Sequence, residues 1–325
     1  MDNSNVSSGG DFGDLNANKV AKKKRKGVLF YIKKDFFLYL LLLVPIVYFI
    51  IFKYVPMYQI IVAFKDYDVI NGINGSKWIG LDAFKEVFKM PDFYKVLRNT
   101  LSLNFLDLVL GFPAPILLAI LLNEIRIKWF KKVSQTILYL PHFLSWVIIG
   151  GMAYQLLSPQ TGMLNILIKS FGGPAVPFLT EKWHWLFTYS VIGVWQGVGW
   201  GTIIYLASIT GISPELYEAA VVDGAGRLKK IWHITLPGIK PTIIMMLILG
   251  VGNVMKIGFD RPFVLGNPLV MDFSDVISTF VYRVGLQSVR YNIAAAVGLF
   301  QSVIGLVLIL CVDKVAKKFG EQGIM

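Results

Sequence analysis

The sequence predicts an all-α membrane protein with six transmembrane helices. Of its 325 residues, 55% are hydrophobic and only 16% are charged, whereas soluble domains carry about 45–50% apolar and about 25% charged residues. Six stretches also reach or approach the roughly 20 apolar residues that a membrane-spanning helix needs. They are residues 36–56, 99–123, 134–157, 184–207, 240–259 and 291–313. This composition excludes a soluble enzyme as the starting hypothesis.

The chain begins with a polar and basic segment, residues 1–35. Its first 18 residues are rich in Asn, Ser, Gly and Asp, a composition typical of disorder. The basic run 22–26 precedes an apolar stretch, as in a signal peptide, but 36–56 is longer than the roughly 7–15 residues of a signal-peptide core and no small-residue cleavage motif follows it. We therefore expect a partly disordered cytoplasmic tail and a retained first span.

The sequence supports some of the later spans more clearly than others. Residues 183–214 and 291–312 contain no Asp, Glu, Lys or Arg. The fifth span is weaker, because its uncharged run 241–255 is short and Lys256 follows; a lysine at a helix end can extend its ammonium group to the interface. We expect a six-span domain over 36–313 and a cytoplasmic tail over 314–325.

The net charge of +12 predicts the orientation. With the N-terminus inside, 19 of the 32 Lys and Arg residues fall on cytoplasmic segments, namely 1–35, 124–133, 208–240 and 314–325. Cytoplasmic loops carry such an excess, so both termini are predicted to face the cytoplasm. Nucleic-acid binding is not predicted, because it needs a soluble charged face.

Two loops have a structure of their own. In 57–98 apolar residues recur at helical spacing, which predicts short amphipathic helices that either cap the bundle or dock an external partner. In 208–240, Ser213 and Pro214 are typical of a helix start, and Gly224 ends that helix. A second short helix over about 227–235 is expected to stop at Pro237 and Pro241.

The first helix of the loop 208–240 suits docking. Ala219 and Ala220 allow a backbone to approach closely, and the Glu218 carboxylate could accept a bidentate contact from an arginine. A solvated connector between two spans is the alternative explanation.

This loop resembles a known family. Glu-Ala-Ala, three residues, Gly, nine residues and Ile-x-Leu-Pro is similar, at every fixed position, to the EAA motif of the permease subunits of bacterial ABC importers. The resemblance implies a MetI-like permease with a coupling helix that sits in a groove of a cytoplasmic ATPase. The coupling residues it implies are Glu218, Ala219, Ala220, Asp223, Gly224, Ile234, Leu236 and Pro237.

Further stretches resemble the carbohydrate-uptake branch of these permeases, in particular the polysaccharide and oligosaccharide permeases of Gram-positive bacteria. They are residues 53–67, 79–84, 98–100, 111–124 and 139–143. The resemblance implies a bacterial inner-membrane protein, surrounded by lipid, that imports an oligosaccharide. Its implied partners are a second permease subunit in a heterodimer, two ATPase subunits that bind ATP and Mg, and an extracytoplasmic solute-binding protein.

The sequence offers little for catalysis. It has no Gly-x4-Gly-Lys-Ser/Thr motif with which to hold nucleotide phosphates. Its histidines, His142, His184 and His233, are scattered, and Cys311 is the single cysteine. We expect no catalytic residue, no metal site and no cofactor on this chain, and a non-sugar permease or a membrane scaffold stays open as an alternative.

An ion-coupled carrier is the competing transporter class, and it would need ionisable groups within the spans. Asp107 is the one deep candidate, either as a hydrogen-bonded structural acid or as a substrate contact.

A sugar path needs amides, carboxylates and flat aromatic faces in an apolar cavity. The segment 195–200 is the most suggestive, although its glycines equally suit helix packing, and 259–268 is expected to shape an outer gate. The candidate path residues are Asn104, Asp107, Gln155, Trp195, Gln196, Trp200, Asn253 and Gln301.

Overall fold

The computed structural model describes residues 34–318. The chain divides into two compact units, residues 1–58 and 59–325. In the first unit, α1 (Phe36–Phe49) continues through a π-helical turn, Ile50–Tyr54, into α2 (Val55–Met57). These helices bury no residue within the chain, as suits a helix that lipid surrounds. The predicted tail lies, except for its last two residues, outside the described residues.

The second unit contains two short strands and fifteen further helices among the described residues. The antiparallel strands are β1 (Lys65–Asp66) and β2 (Lys77–Trp78). The helices are α3 (Gly72–Gly75), α4 (Asp82–Val87), α5 (Pro91–Leu106), α6 (Pro113–Glu124), α7 (Lys128–Tyr139), α8 (Trp146–Leu157), α9 (Met163–Ser170), α10 (Lys182–Thr210), α11 (Pro214–Val222), α12 (Arg227–Lys230), α13 (Leu236–Gly252), α14 (Asp260–Leu265), α15 (Met271–Ser274), α16 (Ile277–Tyr282) and α17 (Tyr291–Lys318).

The predicted six-span fold is confirmed. Among the described residues, five helical stretches are long and apolar enough to cross a membrane, and a bent pair makes a sixth. The five are Phe36–Phe64, Pro91–Glu124, Lys182–Thr210, Arg227–Gly252 and Tyr291–Val315, and the bent pair is Lys128–Phe143 with Trp146–Leu157.

The third span, predicted over 134–157, is a bent pair of helices, a break that the sequence analysis did not predict. Its two halves meet at 101°. Pro141 lies in the 3₁₀ turn Leu140–Phe143, where it cannot donate to a preceding carbonyl. Ser145 then starts a new helix, since its hydroxyl accepts a hydrogen bond from the Ile148 amide at 3.3 Å.

The fifth span also differs from the prediction. Pro237 and Pro241 do not stop a helix: the chain is helical from Arg227 to Gly252, with a π-helical turn at Ile231–Thr235. The wider turn, in which the Leu236 amide donates to the Ile231 carbonyl, is the kind of adjustment that accommodates prolines in membrane helices. The predicted range 240–259 is therefore wrong at both ends, and Lys256 lies beyond the helix.

The last helix extends further than predicted. It runs through 314–318, which the sequence assigned to the tail. Lys317 and Asp313 form an i,i+4 ion pair at 3.0 Å that supports this extension. The amphipathic helices expected in 57–98 are present as α4 and the start of α5, which bury Ala83, Val87 and Phe93.

Candidate functional site

The helix α11 carries three of the eight predicted coupling residues, Glu218, Ala219 and Ala220, and it begins and ends where the sequence indicates. Pro214 occupies the first turn, although the Ser213 hydroxyl makes no capping bond. At the other end Gly224 has φ +71°, a conformation that only glycine adopts at little cost. The Gly224 amide donates to the Val221 carbonyl at 3.0 Å, and the Ala225 amide to the Ala220 carbonyl at 2.8 Å. These two bonds form a Schellman motif.

Several large apolar side chains of this loop are exposed. No residue of α11 is buried, and the Val222 side chain is 87% exposed. Leu216, Leu228 and Trp232 are also more than half exposed. Glu218 is exposed, and within residues 34–318 it has no ion-pair partner. We call these four apolar side chains and Glu218 the loop patch, and an apolar surface of this kind marks an interaction site.

A buried contact ties α11 to the long helix that follows. The hydroxyl groups of Tyr217 and Thr235 lie 3.0 Å apart, and Thr235 is 3% exposed. Arg227 lies 3.9 Å from the Glu124 carboxylate on α6. Of the remaining predicted coupling residues, Ile234 and Leu236 are partly buried, whereas Ala219, Asp223 and Pro237 are exposed.

The second feature is an ion pair that the sequence did not predict. One guanidinium nitrogen of Arg261 donates to both carboxylate oxygens of Asp107, at 3.1 and 2.9 Å. The other donates to the backbone carbonyl of Tyr189 at 2.6 Å. The Arg261 side chain is 12% exposed and the Asp107 side chain 33%. Asp107 is thus a hydrogen-bonded acid with a cationic partner.

Aromatic rings and a glycine hold Arg261 in place. Its guanidinium carbon lies 3.6 Å from the ring centroid of Tyr189 and 5.5 Å from that of Trp146. A Cβ on Gly193 would come within 2.3 Å of the guanidinium group, so only glycine leaves room for it there. The sequence offered one signal for this partner: an acid inside a span needs a nearby cation.

The ion pair borders a polar cavity of about 220 Å³. Asn104 and Asp107, both predicted path residues, line it together with Lys256, Trp146 and Tyr189. Among the described residues the Tyr189 hydroxyl has no hydrogen-bond partner, although Tyr189 is only 1% exposed. The cavity therefore combines an amide, charges of both signs and two aromatic rings.

The segment 195–200 packs against the bent third span. A Cβ on Gly199 would lie 2.0 Å from the Leu138 carbonyl oxygen. Trp200 stacks on His142 with ring centroids 4.6 Å apart, and the Gln196 amide lies 3.5 Å from the His142 carbonyl. Trp195 is 43% exposed and lines two apolar cavities.

The remaining predicted path residues are not brought together. The Asn253 amide donates to Leu249 of its own helix at 2.9 Å, the Gln301 amide donates to the Met255 carbonyl, and Gln155 is exposed.

Comparison with known proteins identifies the family. Residues 97–320 match the family described as binding-protein-dependent transport system inner membrane component. The polygalacturonan/rhamnogalacturonan transport system permease protein YteP of Bacillus subtilis (strain 168) is 46% identical over 93% of this chain and 94% of its own length. Protein LplB of the same organism is 44% identical over 90% of this chain and 92% of its own length.

A solved structure has the same fold. A chain in the crystal structure of a bacterial alginate ABC transporter, in complex with alginate pentasaccharide-bound periplasmic protein, superposes with a TM-score of 0.84 at 40% identity and covers 92% of this chain and 100% of that chain. Together with the loop motif and the six spans, these matches confirm the expected family: the chain is a multi-pass ABC importer permease that belongs to the binding-protein-dependent transport system inner membrane components.

Proposed function

We propose that this permease imports an oligosaccharide through a path that it forms with a second, different permease subunit. Two relatives support the sugar assignment, since one is named for polygalacturonan and rhamnogalacturonan and the other for arabinooligosaccharides. The alginate transporter, in complex with a pentasaccharide-bound periplasmic protein, supports delivery by an extracytoplasmic binding protein. The termini then lie in the cytoplasm of a bacterial cell, as the charge distribution predicts.

The observation that carries this proposal is the uncovered loop patch. A nine-residue helix that buries none of its residues, and that carries exposed apolar side chains beside a carboxylate with no ion-pair partner in the described part of the chain, is suited to a groove on another subunit. We assign that groove to a cytoplasmic ATPase, of which two copies would serve the two permease subunits. ATP and Mg belong to those subunits, and this chain contributes no residue to them.

The geometry also supports a route from the loop to the path. Tyr217 links α11 to Thr235, which lies in the helical stretch Arg227–Gly252. At 1.5 Å per residue these 26 residues span about 39 Å, and the segment that follows carries Lys256 and Arg261 to the polar cavity. Closure of the ATPases would therefore move α11 and this long helix together, which is a rigid-body switch of the usual kind.

The pairing of Asp107 argues against an ion-coupled carrier. A proton relay needs a chain of ionisable groups in the spans, whereas the charge of Asp107 is balanced by Arg261 at 2.9 Å.

Reconstitution tests the proposal. The permease pair with its ATPases and binding protein, in proteoliposomes, is expected to take up oligosaccharides from a panel only with ATP and binding protein. This chain alone, under a proton or sodium gradient, is expected to transport none. Gradient-driven uptake by the chain alone would refute the ABC mechanism.

Charge reversal on α11 tests the docking helix. Glu218→Lys is expected to abolish uptake and ATPase stimulation while the protein still inserts. Glu215→Lys, an exposed residue on the same helix outside the motif, serves as the matched control and is expected to retain most activity. Wild-type uptake in the Glu218→Lys complex would contradict the assignment.

A further inference from the structure

A second cavity, mostly apolar but with two cationic side chains in its wall, lies between α5 and α10. Its volume is about 410 Å³, within the range of about 300–1,000 Å³ that is common for small-molecule sites. Arg98, Asn99 and Ser102 line it from α5, Lys182 and Trp183 from α10, and Phe273 from α15. We call it the Arg98–Lys182 cavity.

The charged side chains that line this cavity are both cationic. Arg98 and Lys182 are the charged residues of its wall, and no Asp or Glu of the described chain lines it. The Arg98 guanidinium donates to the Asn99 side-chain oxygen at 3.1 Å and to the backbone carbonyl of Asp272 at 3.4 Å. The Lys182 ammonium lies 4.9 Å from the Trp183 ring centroid and 4.6 Å from that of Phe273. Neither cation has an ion-pair partner within residues 34–318.

A neighbouring lysine outside the cavity, by contrast, has an acidic partner within the chain. Lys95, one turn before Arg98, forms an ion pair with the Asp272 carboxylate at 2.9 Å. The hydrogen bond and the charge of Lys95 lower the pKa of Asp272, so that carboxylate stays ionised and balances Lys95. The charge of Arg98 also lowers the pKa of Asp272, but Arg98 forms no ion pair with it within residues 34–318 and keeps its guanidinium group in the cavity wall.

The other groups in the wall define that ligand further. Trp183 is 69% exposed and offers a flat aromatic face beside Phe273, as sugar rings require. Ser102 and Asn99 add a hydroxyl and an amide next to the two cations. A carboxylate binds strongly to lysine and arginine through charge-assisted hydrogen bonds. These features together suit a sugar ring that bears a carboxylate.

We propose that the Arg98–Lys182 cavity binds a uronic-acid residue of the transported oligosaccharide, with both cations on its carboxylate. This inference rests on the proposed function and adds the substrate class. Arg98 lies nine residues before Asp107, which lines the cavity beside the Asp107–Arg261 pair. Both residues belong to one helical stretch, so they are about 14 Å apart along its axis. A charged sugar would thus meet unpaired cations before it reaches the neutralised Asp107–Arg261 pair.

The test uses trigalacturonate uptake by the complete complex with saturating binding protein. Arg98→Gln and Lys182→Gln are each expected to lower uptake about tenfold or more, because each removes a charge-assisted bond. Arg98→Lys and Lys182→Arg are expected to restore at least half of the wild-type rate. Lys95→Gln, the matched control outside the cavity, is expected to stay within twofold of wild type. Basal ATP hydrolysis should not change in the Lys95→Gln control.

Three results would overturn the proposal. One is wild-type trigalacturonate uptake by the Arg98→Gln, Lys182→Gln double variant. Another is an equal loss of uptake for a neutral oligosaccharide, which would indicate a structural role or a bound anionic lipid. The third is a wild-type complex that imports neutral oligosaccharides and not trigalacturonate, which would leave the proposed function standing. A wild-type complex that imports no oligosaccharide would instead refute the proposed function itself.

Discussion

Gly224 offers a substitution whose effect can be isolated. Its φ of +71° is left-handed, and nothing lies within 4 Å of a Cβ built on it. Gly224→Ala therefore introduces no clash but imposes the left-handed conformation on an L-residue, which costs about 1–2 kcal/mol. That energy corresponds to a factor of about 5–30 in an equilibrium. The Schellman end of α11, and with it the orientation of the loop patch, should be less populated by this factor.

Gly226 provides the matched control two residues away. A Cβ built on Gly226 also meets nothing within 4 Å, but the φ of Gly226 is −68°, which alanine adopts without strain. In the assembled complex, ATPase stimulation at limiting ATPase concentration should fall about 5–30-fold for Gly224→Ala and stay near wild type for Gly226→Ala. Gly224→Asn should be intermediate, since asparagine tolerates this conformation better. Equal activity of the two alanine variants would refute the reasoning.

Three more sets of substitutions test the packing of the spans and of the loop. Gly199→Ala should lower the free energy of unfolding by about 3 kcal/mol, because its Cβ overpacks against the Leu138 carbonyl. Gly197→Ala, whose Cβ meets nothing within 4 Å, should be neutral or slightly stabilising. Thermal unfolding in detergent measures both, and equal stabilities would contradict the close packing. Asp107→Asn should lower the free energy of unfolding by about 3 kcal/mol, because it leaves Arg261 buried without a counter-charge. The double variant Asp107→Asn, Arg261→Gln should recover part of this loss. A double variant less stable than both single variants would argue against the ion pair. Tyr217→Phe and Thr235→Val should each remove the same hydrogen bond, which contributes roughly 1 kcal/mol, and should each weaken ATPase stimulation by the corresponding factor. The double variant should be no worse than the single ones. Additive losses would show that these hydroxyl groups act separately.

The sequence predicted the features that depend on local chemistry. Apolar stretches of about 20 residues marked the spans, and Gly224 marked the end of α11, because the hydrophobicity of a helix and the φ of a glycine follow from neighbouring residues. The break of the third span at 144–145 and the continuity through Pro237 were not predicted. A proline can end a helix or be accommodated by a π-helical turn, and the surrounding helices decide which occurs.

In the candidate site, too, the sequence predicted single residues but not the contacts between distant ones. The pairing of Asp107 with Arg261 joins residues 154 positions apart, and the cluster of Arg98, Lys182 and Phe273 joins three distant segments. Such contacts follow from how the helices pack, which periodicity along one segment does not contain. Asp107 and Asn104 could be selected from the sequence as polar groups in a span, but their shared cavity could not.

The π-helical turn at Ile231–Thr235 has a consequence for sequence alignment and for deletion variants. Such a turn holds one residue more than the α-helix around it, and one residue turns an α-helix by 100°. Removing a single residue from this turn would leave a regular helix in which the side chains from Leu236 to Gly252 face nearly as they do now, whereas removing one from the regular stretch that follows would rotate every later side chain by about 100° about the axis. The π-helical turn thus tolerates the loss of one residue without changing the face that the fifth span presents to its partners, and an alignment gap of one residue is expected there rather than within Leu236–Gly252.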